Sequence, residues 1–184
     1  GSPIRQNVGK SRRLGIELEI KMNLSSNWLW QPNIALSSNQ NLDFYFKRDG
    51  VLENLGKTQL AYSPNLVGGS AIMYVPSTKF QIGLLSKYVG KQYMGNINSE
   101  NSTLEAYFVN DLNAVFIWKP NKWVSEIQWS FLINNIFNAK YESNGYFFTY
   151  DDDFSVVGQV KTIEGSGYYP QAGINFLTGL KLRF

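Results

Sequence analysis

Hydrophobic residues recur at every second position over most of this chain. That period of two is the mark of strands with two unlike faces. The pattern is plainest at the end: Phe184, Leu182, Leu180, Thr178, Phe176 and Ile174 share one parity, and Arg183, Lys181, Gly179, Leu177, Asn175 and Gly173 share the other. This predicts one strand ribbon over residues 168–184 that stops on an aromatic. Residues 11–24 alternate as cleanly, with Leu14, Ile16, Leu18, Ile20, Met22 and Leu24 against Arg13, Gly15, Glu17, Glu19 and Lys21. Further strands are predicted over 28–47, with a bend at Pro32, and over 66–76, 79–92, 103–119 and 123–135. The facing of 66–76 stays open. In the others, Phe80, Ile82, Leu84 and Tyr88, then Leu112, Ala114, Phe116 and Trp118, then Ile127, Trp129, Phe131 and Ile133 form the apolar faces. Asp111, Asn113, Glu126, Gln128 and Ser130 point the opposite way. The expectation is seven long antiparallel strands.

The connections alternate in length. Those at 25–27, 76–78 and 120–122 are short; those at 48–65, 93–102 and 137–167 are long. Aromatics gather where strands meet the short turns: Trp28, Trp30, Tyr74, Phe80, Trp118, Trp123 and Phe184. A single interfacial girdle of a membrane barrel looks like this, with short turns on one side and long loops on the other. A soluble sandwich has no reason to mark one end of nearly every strand with Trp or Phe. The strands also exceed the roughly five or six residues usual in soluble sheets.

Composition narrows the chemistry. In 184 residues there is no cysteine and no histidine, so disulfides, thiolate metal sites and imidazole catalysis are excluded. Charged residues are few at 17%, aromatics many at 15%, and the net charge of +3 is scattered, which gives no nucleic-acid stripe. No apolar run approaches the length of a transmembrane helix. A mean hydropathy of −0.24 is what a transmembrane barrel also shows, because its apolar residues are diluted at every second position. The chain opens without a secretion signal, so it reads as a mature protein or a piece of one.

Local motifs add little. Gly9-Lys10-Ser11 resembles part of a phosphate loop, but Ile4 stands where the first glycine is needed. Glu17 and Glu19 read as a hydrated wall, since no opposing acid completes a glycosidase pair. Asp151-Asp152-Asp153 offers hard carboxylates for calcium but lacks the spacing of a known loop, and reads as a solvated acidic turn. Asn23-Leu24-Ser25 and Asn101-Ser102-Thr103 fit the glycosylation pattern, a three-residue match too short to carry weight alone.

Several stretches carry a family resemblance. They are Ala106-Tyr107-Phe108-Val109-Asn110-Asp111, Asn134-Asn135-Ile136-Phe137-Asn138-Ala139-Lys140-Tyr141, Glu142-Ser143-Asn144-Gly145-Tyr146, and Tyr168-Tyr169-Pro170-Gln171-Ala172-Gly173 leading to Phe184. Pro3 to Ser11 and Leu85 to Tyr93 add to them. Together they resemble the C-terminal barrel portion of a TonB-dependent outer-membrane receptor of the Bacteroidetes type. The resemblance spans nearly all of residues 1–184, more loosely over 25–75.

The resemblance implies a plugged barrel of about 22 strands. Seven strands are then a segment of that wall without its plug. It also implies energised uptake of a metal chelate, cobalamin or glycan, with the C-terminus on the periplasmic side and no enzyme activity or cofactor. Implied partners are outer-membrane lipid and lipopolysaccharide, the rest of the barrel and the plug, and the TonB protein through an N-terminal part that this chain lacks. A surface lipoprotein lid is left open. Expected site residues are Tyr146, Phe147, Phe148 and Tyr150 for substrate or partner contact, and Phe184, Leu182 and Leu180 as an assembly signal. The expected lipid-facing girdle is Trp28, Trp30, Phe80, Trp118 and Trp123. The alternative reading is a soluble β-sandwich that stacks sugars on the loop aromatics.

Overall fold

The computed structural model describes residues 9–120 and 123–184. Among the described residues thirteen strands form: β1 (Ser11–Glu19), β2 (Met22–Asn23), β3 (Trp28–Arg48), β4 (Val51–Gln59), β5 (Leu66–Ser77), β6 (Phe80–Val89), β7 (Gln92–Tyr93), β8 (Thr103–Leu104), β9 (Tyr107–Trp118), β10 (Glu126–Asn134), β11 (Glu142–Asp152), β12 (Lys161–Pro170) and β13 (Asn175–Arg183). The main sheet runs β1-β3-β5-β6-β9-β10-β13, antiparallel at every step. These are the seven predicted long strands, in sequence order. Among the described residues the sheet does not close on itself, and β1 and β13 are its edges.

Register settles the facing. Met22 of β2 lies opposite Trp30, then Ile72, Leu84, Leu112, Ile133 and Phe176, so one apolar row runs from β2 across β3, β5, β6, β9, β10 and β13. The same pairing fixes β5, which the alternation left open: Leu66, Gly68, Ser70, Ile72 and Tyr74 share that face. By the same register the opposite face carries Glu17, Glu19, Asn33, Lys87, Asp111, Asn113, Gln128 and Lys181, mixed on the central strands with Val67, Ala71, Met73, Leu85 and Leu132. There Glu126 pairs with Arg183 at 3.1 Å and Lys119 at 3.7 Å.

The apolar face is open: Ile16 is 74% exposed, Phe176 79% and Leu180 63%. Buried apolar side chains are few, Val89, Met94, Leu104 and Val109, and they cluster at the base of the loops rather than under the sheet. Folding in water buries apolar surface, so a sheet that turns its large residues outward is built for an apolar solvent. The sandwich alternative fails here, because among the described residues no second sheet covers this face.

Four boundaries differ from the alternation. The strand predicted over 11–24 breaks after Glu19, because Ile20 donates to the Pro32 carbonyl at 3.0 Å and proline has no N–H to return the bond. Pro32 itself stays in register opposite Ser70, so the predicted bend falls on the neighbouring strand. The loop at 48–65 is largely a hairpin. Asp49 and Gly50 adopt φ of 52° and 79°, the paired left-handed turn that Asp-Gly favours, and β4 folds back on β3. Register shifts near Phe44 and the left-handed Gly56 had erased any alternation in β4. Residues 137–167 hold β11 and most of β12, a hairpin apart from the main sheet. The terminal ribbon therefore begins at Asn175, and Tyr168, Tyr169 and Pro170 end β12. The strand predicted over 123–135 begins only at Glu126, which leaves Trp123 in the connection. The residues before Gly9, and Asn121-Lys122 of the turn at 120–122, lie outside the described residues. Ser11 opens β1, a strand where a phosphate loop would need a loop and a helix.

Candidate functional site

The three long connections leave the same end of the sheet and pack into one cap. Asn135 roots the third of them. It is 2% exposed and sits in the left-handed region at φ 51°, where asparagine is tolerated. Its Nδ2 donates to the carbonyls of Ala139 (2.8 Å) and Ala172 (3.2 Å), and its Oδ1 accepts from the Ala139 N–H at 2.8 Å. Its own N–H donates to Asp111 Oδ1 at 2.7 Å. One side chain thus ties both legs of the β11–β12 hairpin to the end of β10. Asn138, also left-handed, accepts from the Ile174 N–H at 3.0 Å.

The hairpin then meets the other two connections. Glu164 on β12 accepts from Arg48 at the β3–β4 tip (3.5 Å) and from Asn101 (3.0 Å) and Ser99 in the second connection. At 13% side-chain exposure it is the shared anchor of all three. Asp49 and Thr162 bond reciprocally: the Asp49 N–H donates to Thr162 Oγ1 at 2.8 Å and the Thr162 N–H to Asp49 Oδ1 at 2.7 Å. Lys47 pairs with Asp151 at 3.4 Å, and the Tyr62 hydroxyl donates to the Gly145 carbonyl at 2.8 Å. Tyr62 is itself pushed above its usual pKa by burial and by neighbouring Tyr169.

The four aromatics singled out by sequence divide between two faces of this hairpin. Phe147 turns toward the second connection, packed against Gly95 so closely that no Cβ would fit there. Tyr146, Phe148 and Tyr150 share the other face, each about half exposed. Their register partners on β12 are Gly167, Gly165 and Ile163. The rings of Tyr146 and Phe148 lie over those glycines, where the absent side chain leaves room. The three stack in a row: Tyr146 to Phe148 at 6.3 Å and 16°, Phe148 to Tyr150 at 6.4 Å and 18°. Tyr169 joins at 6.0 Å from Tyr146.

The acidic turn is already engaged. Asp151 holds Lys47 and accepts from Thr162 at 2.9 Å. Asp152 accepts from the backbone of Ser155 at 3.0 Å and of Phe154 at 3.3 Å. The Ser155 hydroxyl first, then those N–H groups and Lys161, hold the Asp152 carboxyl below its usual pKa. Among the described residues no cluster of acidic groups stands as a metal site would require.

At the opposite end stand the remaining predicted residues. Trp28 opens β3 with its ring 4.6 Å from that of Tyr74. Phe80 opens β6 opposite Phe116, and Trp118 closes β9 opposite Ile127. Trp30 lies one row further in and donates from Nε1 to Ser70 Oγ at 2.9 Å. Trp123 is 90% exposed in the connection before β10. Leu182 and Leu180 lie opposite Ile127 and Trp129 on the apolar face, and Phe184 follows the last strand. Along the polar face Glu19, Gln31, Asn33, Lys87 and Asp111 line a shallow hollow of about 470 Å³.

Sequence reasoning missed Glu164, Asn135 and Tyr169. The Gly165-Ser166-Gly167 spacing was a usable signal, since two bare positions facing an aromatic strand invite rings to cover them. Nothing local marks Glu164, whose partners are 63 to 116 residues away.

Comparison with known proteins bears on the same architecture. The model of the TonB-dependent receptor-like β-barrel matches residues 1–139, which stops short of the β11–β12 hairpin. No curated protein matches. Among solved structures, the siderophore receptor PiuA from Acinetobacter baumannii aligns over 95% of this chain and 22% of its own, at 16% identity and TM-score 0.62. The ferric-catecholate import receptor Fiu from E. coli K12 aligns over 95% and 21%, at 15% identity and TM-score 0.59. The ferric yersiniabactin uptake receptor FyuA from Yersinia pestis aligns over 97% and 24%, at 18% identity and TM-score 0.60. The chain thus spans about a fifth to a quarter of these structures, and at such identities the likeness is one of fold.

Proposed function

The chain belongs to the TonB-dependent receptor-like β-barrel family, a family of the outer membrane, and on that premise we propose that it is a wall segment of a receptor that imports a scarce nutrient. The observation that carries this reading is the apolar row from Met22 to Phe176, which crosses seven strands with no second layer over it among the described residues, while the other face holds most of the charged side chains of those strands. In hydrocarbon such a sheet must be completed by further strands, because bare edges leave backbone groups unpaired. The partners of the segment are then the remaining strands, the plug against the polar face, and the TonB protein acting through the plug. Lipid and lipopolysaccharide cover the apolar face, and a surface lipoprotein lid over the loops is a further candidate partner. Trp28, Trp30, Phe80, Trp118 and Trp123 form the periplasmic-side girdle, the C-terminus lies in the periplasm, and the three long connections lie outside the cell. The cargo is a metal chelate, cobalamin or a glycan, taken up without catalysis. The third connection, through its aromatics, contacts it.

A strain lacking the receptor should lose growth under one of three conditions: iron starvation, cobalamin dependence, or a complex glycan as sole carbon source. Removal of the energising partner should reproduce the same loss. Normal growth of the deletion strain in all three would overturn the uptake reading.

Phe184, Leu182 and Leu180 serve as the signal read by the assembly machinery in this scheme. Deleting Phe184 from the intact receptor should lower its amount in the outer membrane several-fold while periplasmic levels stay the same or rise. Quantitative blotting of the two fractions decides it, and unchanged outer-membrane levels would remove that role.

A further inference from the structure

The aromatic ladder on the β11–β12 hairpin has the construction of a ligand platform. Tyr146 and Phe148 each turn one ring face onto the bare backbone of Gly167 and Gly165, which leaves the other face open. The three rings of the row are nearly parallel and evenly spaced, at 6.3 and 6.4 Å. A single flat ligand would use one ring; a row suits a chain of rings, each stacking on the next side chain. The hydroxyls of Tyr146, Tyr150 and Tyr169 make no hydrogen bond among the described residues, which leaves polar groups beside the rings.

Charge narrows the ligand. No ionisable group other than the tyrosines stands within the row. At its tip Asp151, Asp152 and Asp153 stand with two cations, Lys161 and the Lys47 that pairs with Asp151 at 3.4 Å, so no excess of positive charge waits there for a polyanion. That disfavours nucleic acid and anionic chelates at this surface and favours a neutral, hydroxylated chain of saturated rings.

Position agrees. Tyr141, which leads into the hairpin, stacks on Tyr107 at 4.4 Å, and Tyr107 shares the parity of Asp111 and Asn113. The hairpin therefore leaves the sheet on its polar side. Its Phe147 face lies against the second connection, so the ladder is on the face turned away from that connection. The ladder is also held in place beforehand, since Glu164, Asp49 and Thr162 fix the hairpin to its neighbours. A site ordered in advance loses less freedom on binding.

We propose that Tyr146, Phe148, Tyr150 and Tyr169 form a binding site for a neutral oligosaccharide of three or more rings. This rests on the reading of the chain as part of an uptake receptor and selects the glycan among its candidate cargoes. The test uses purified full-length receptor and calorimetric titration with cellohexaose, maltohexaose, mannohexaose and xylohexaose, and separately with a ferric tris-catecholate. The Y146L/F148L/Y150L variant keeps apolar cover over the glycines but has no ring faces. Y150L lies opposite Ile163 and disturbs no glycine contact, which keeps the test available should the triple variant misfold. Binding of at least one hexasaccharide is expected, weakened roughly tenfold by Y150L and about a hundredfold or more by the triple change. Hexasaccharide binding that neither variant alters would overturn the ladder as the site. Binding of the ferric chelate alone would overturn the oligosaccharide while leaving nutrient uptake intact, and the starvation experiment judges uptake independently.

Discussion

Phe131→Arg in the intact receptor is expected to remove most of the folded barrel, while Ser130→Arg, one residue away, leaves most of it in place. Phe131 lies between Ala114 and Thr178 on the apolar face, its ring 4.4 Å from that of Trp129. It is central along its strand, far from either rim where an arginine could reach water. A guanidinium near the bilayer midplane costs about 2–4 kcal/mol. That is a large part of the margin of a folded protein. Ser130 points to the polar side between Val115 and Gly179, its hydroxyl donating to the Gly179 carbonyl at 3.2 Å. An arginine there enters the lumen, where water and the plug can solvate it. The fraction of receptor that migrates as the compact form on an unboiled gel measures both. Equal losses would mean that the two faces have been exchanged or that neither meets lipid.

The second large effect is expected at Asn135. Asn135→Ala removes three side-chain hydrogen bonds at a buried position and forces a left-handed backbone on a residue that resists it. The expected loss is about 2–4 kcal/mol. Asn135→Gly keeps the backbone at ease and loses only the bonds, so it should fall between the native protein and the alanine variant. Asn135→Asp should be worse than glycine, because it sets a carboxylate against the carbonyls of Ala139 and Ala172. Urea unfolding midpoints of the receptor in detergent rank the three. Alanine no worse than glycine would show that the backbone conformation contributes nothing.

The seven wall strands were legible because their physics is local. Lipid on one side and water on the other impose a period of two along each strand, as from Leu112 to Trp118 and from Ile127 to Ile133. The loop end was legible only in part, because its order comes from contacts distant in sequence. β4 has no alternation to read, since Val51 and Leu52 are both exposed and Gly56 kinks the strand. The parity that runs from Phe184 back through Ile174 concealed the break before β13, and only Pro170 hinted at it. The tyrosines and phenylalanines of the third connection could be named from sequence. Their separation into an open ladder and a packed Phe147 required the hairpin register and Gly95.

Glu164 has a consequence for how such a receptor changes over generations. One carboxylate serves Arg48, Ser99 and Asn101, which lie in two other connections. Lengthening any one connection by a residue or two would drag its partner away and leave the acid, 13% exposed, without it. Insertions that surface loops ordinarily absorb freely are therefore costly here. The loop end of this barrel segment should diversify as a set, with Arg48, Ser99, Asn101 and Glu164 replaced together or kept together. A lineage that alters one loop alone would inherit a poorly solvated charge with a partner missing before it gained a new cargo.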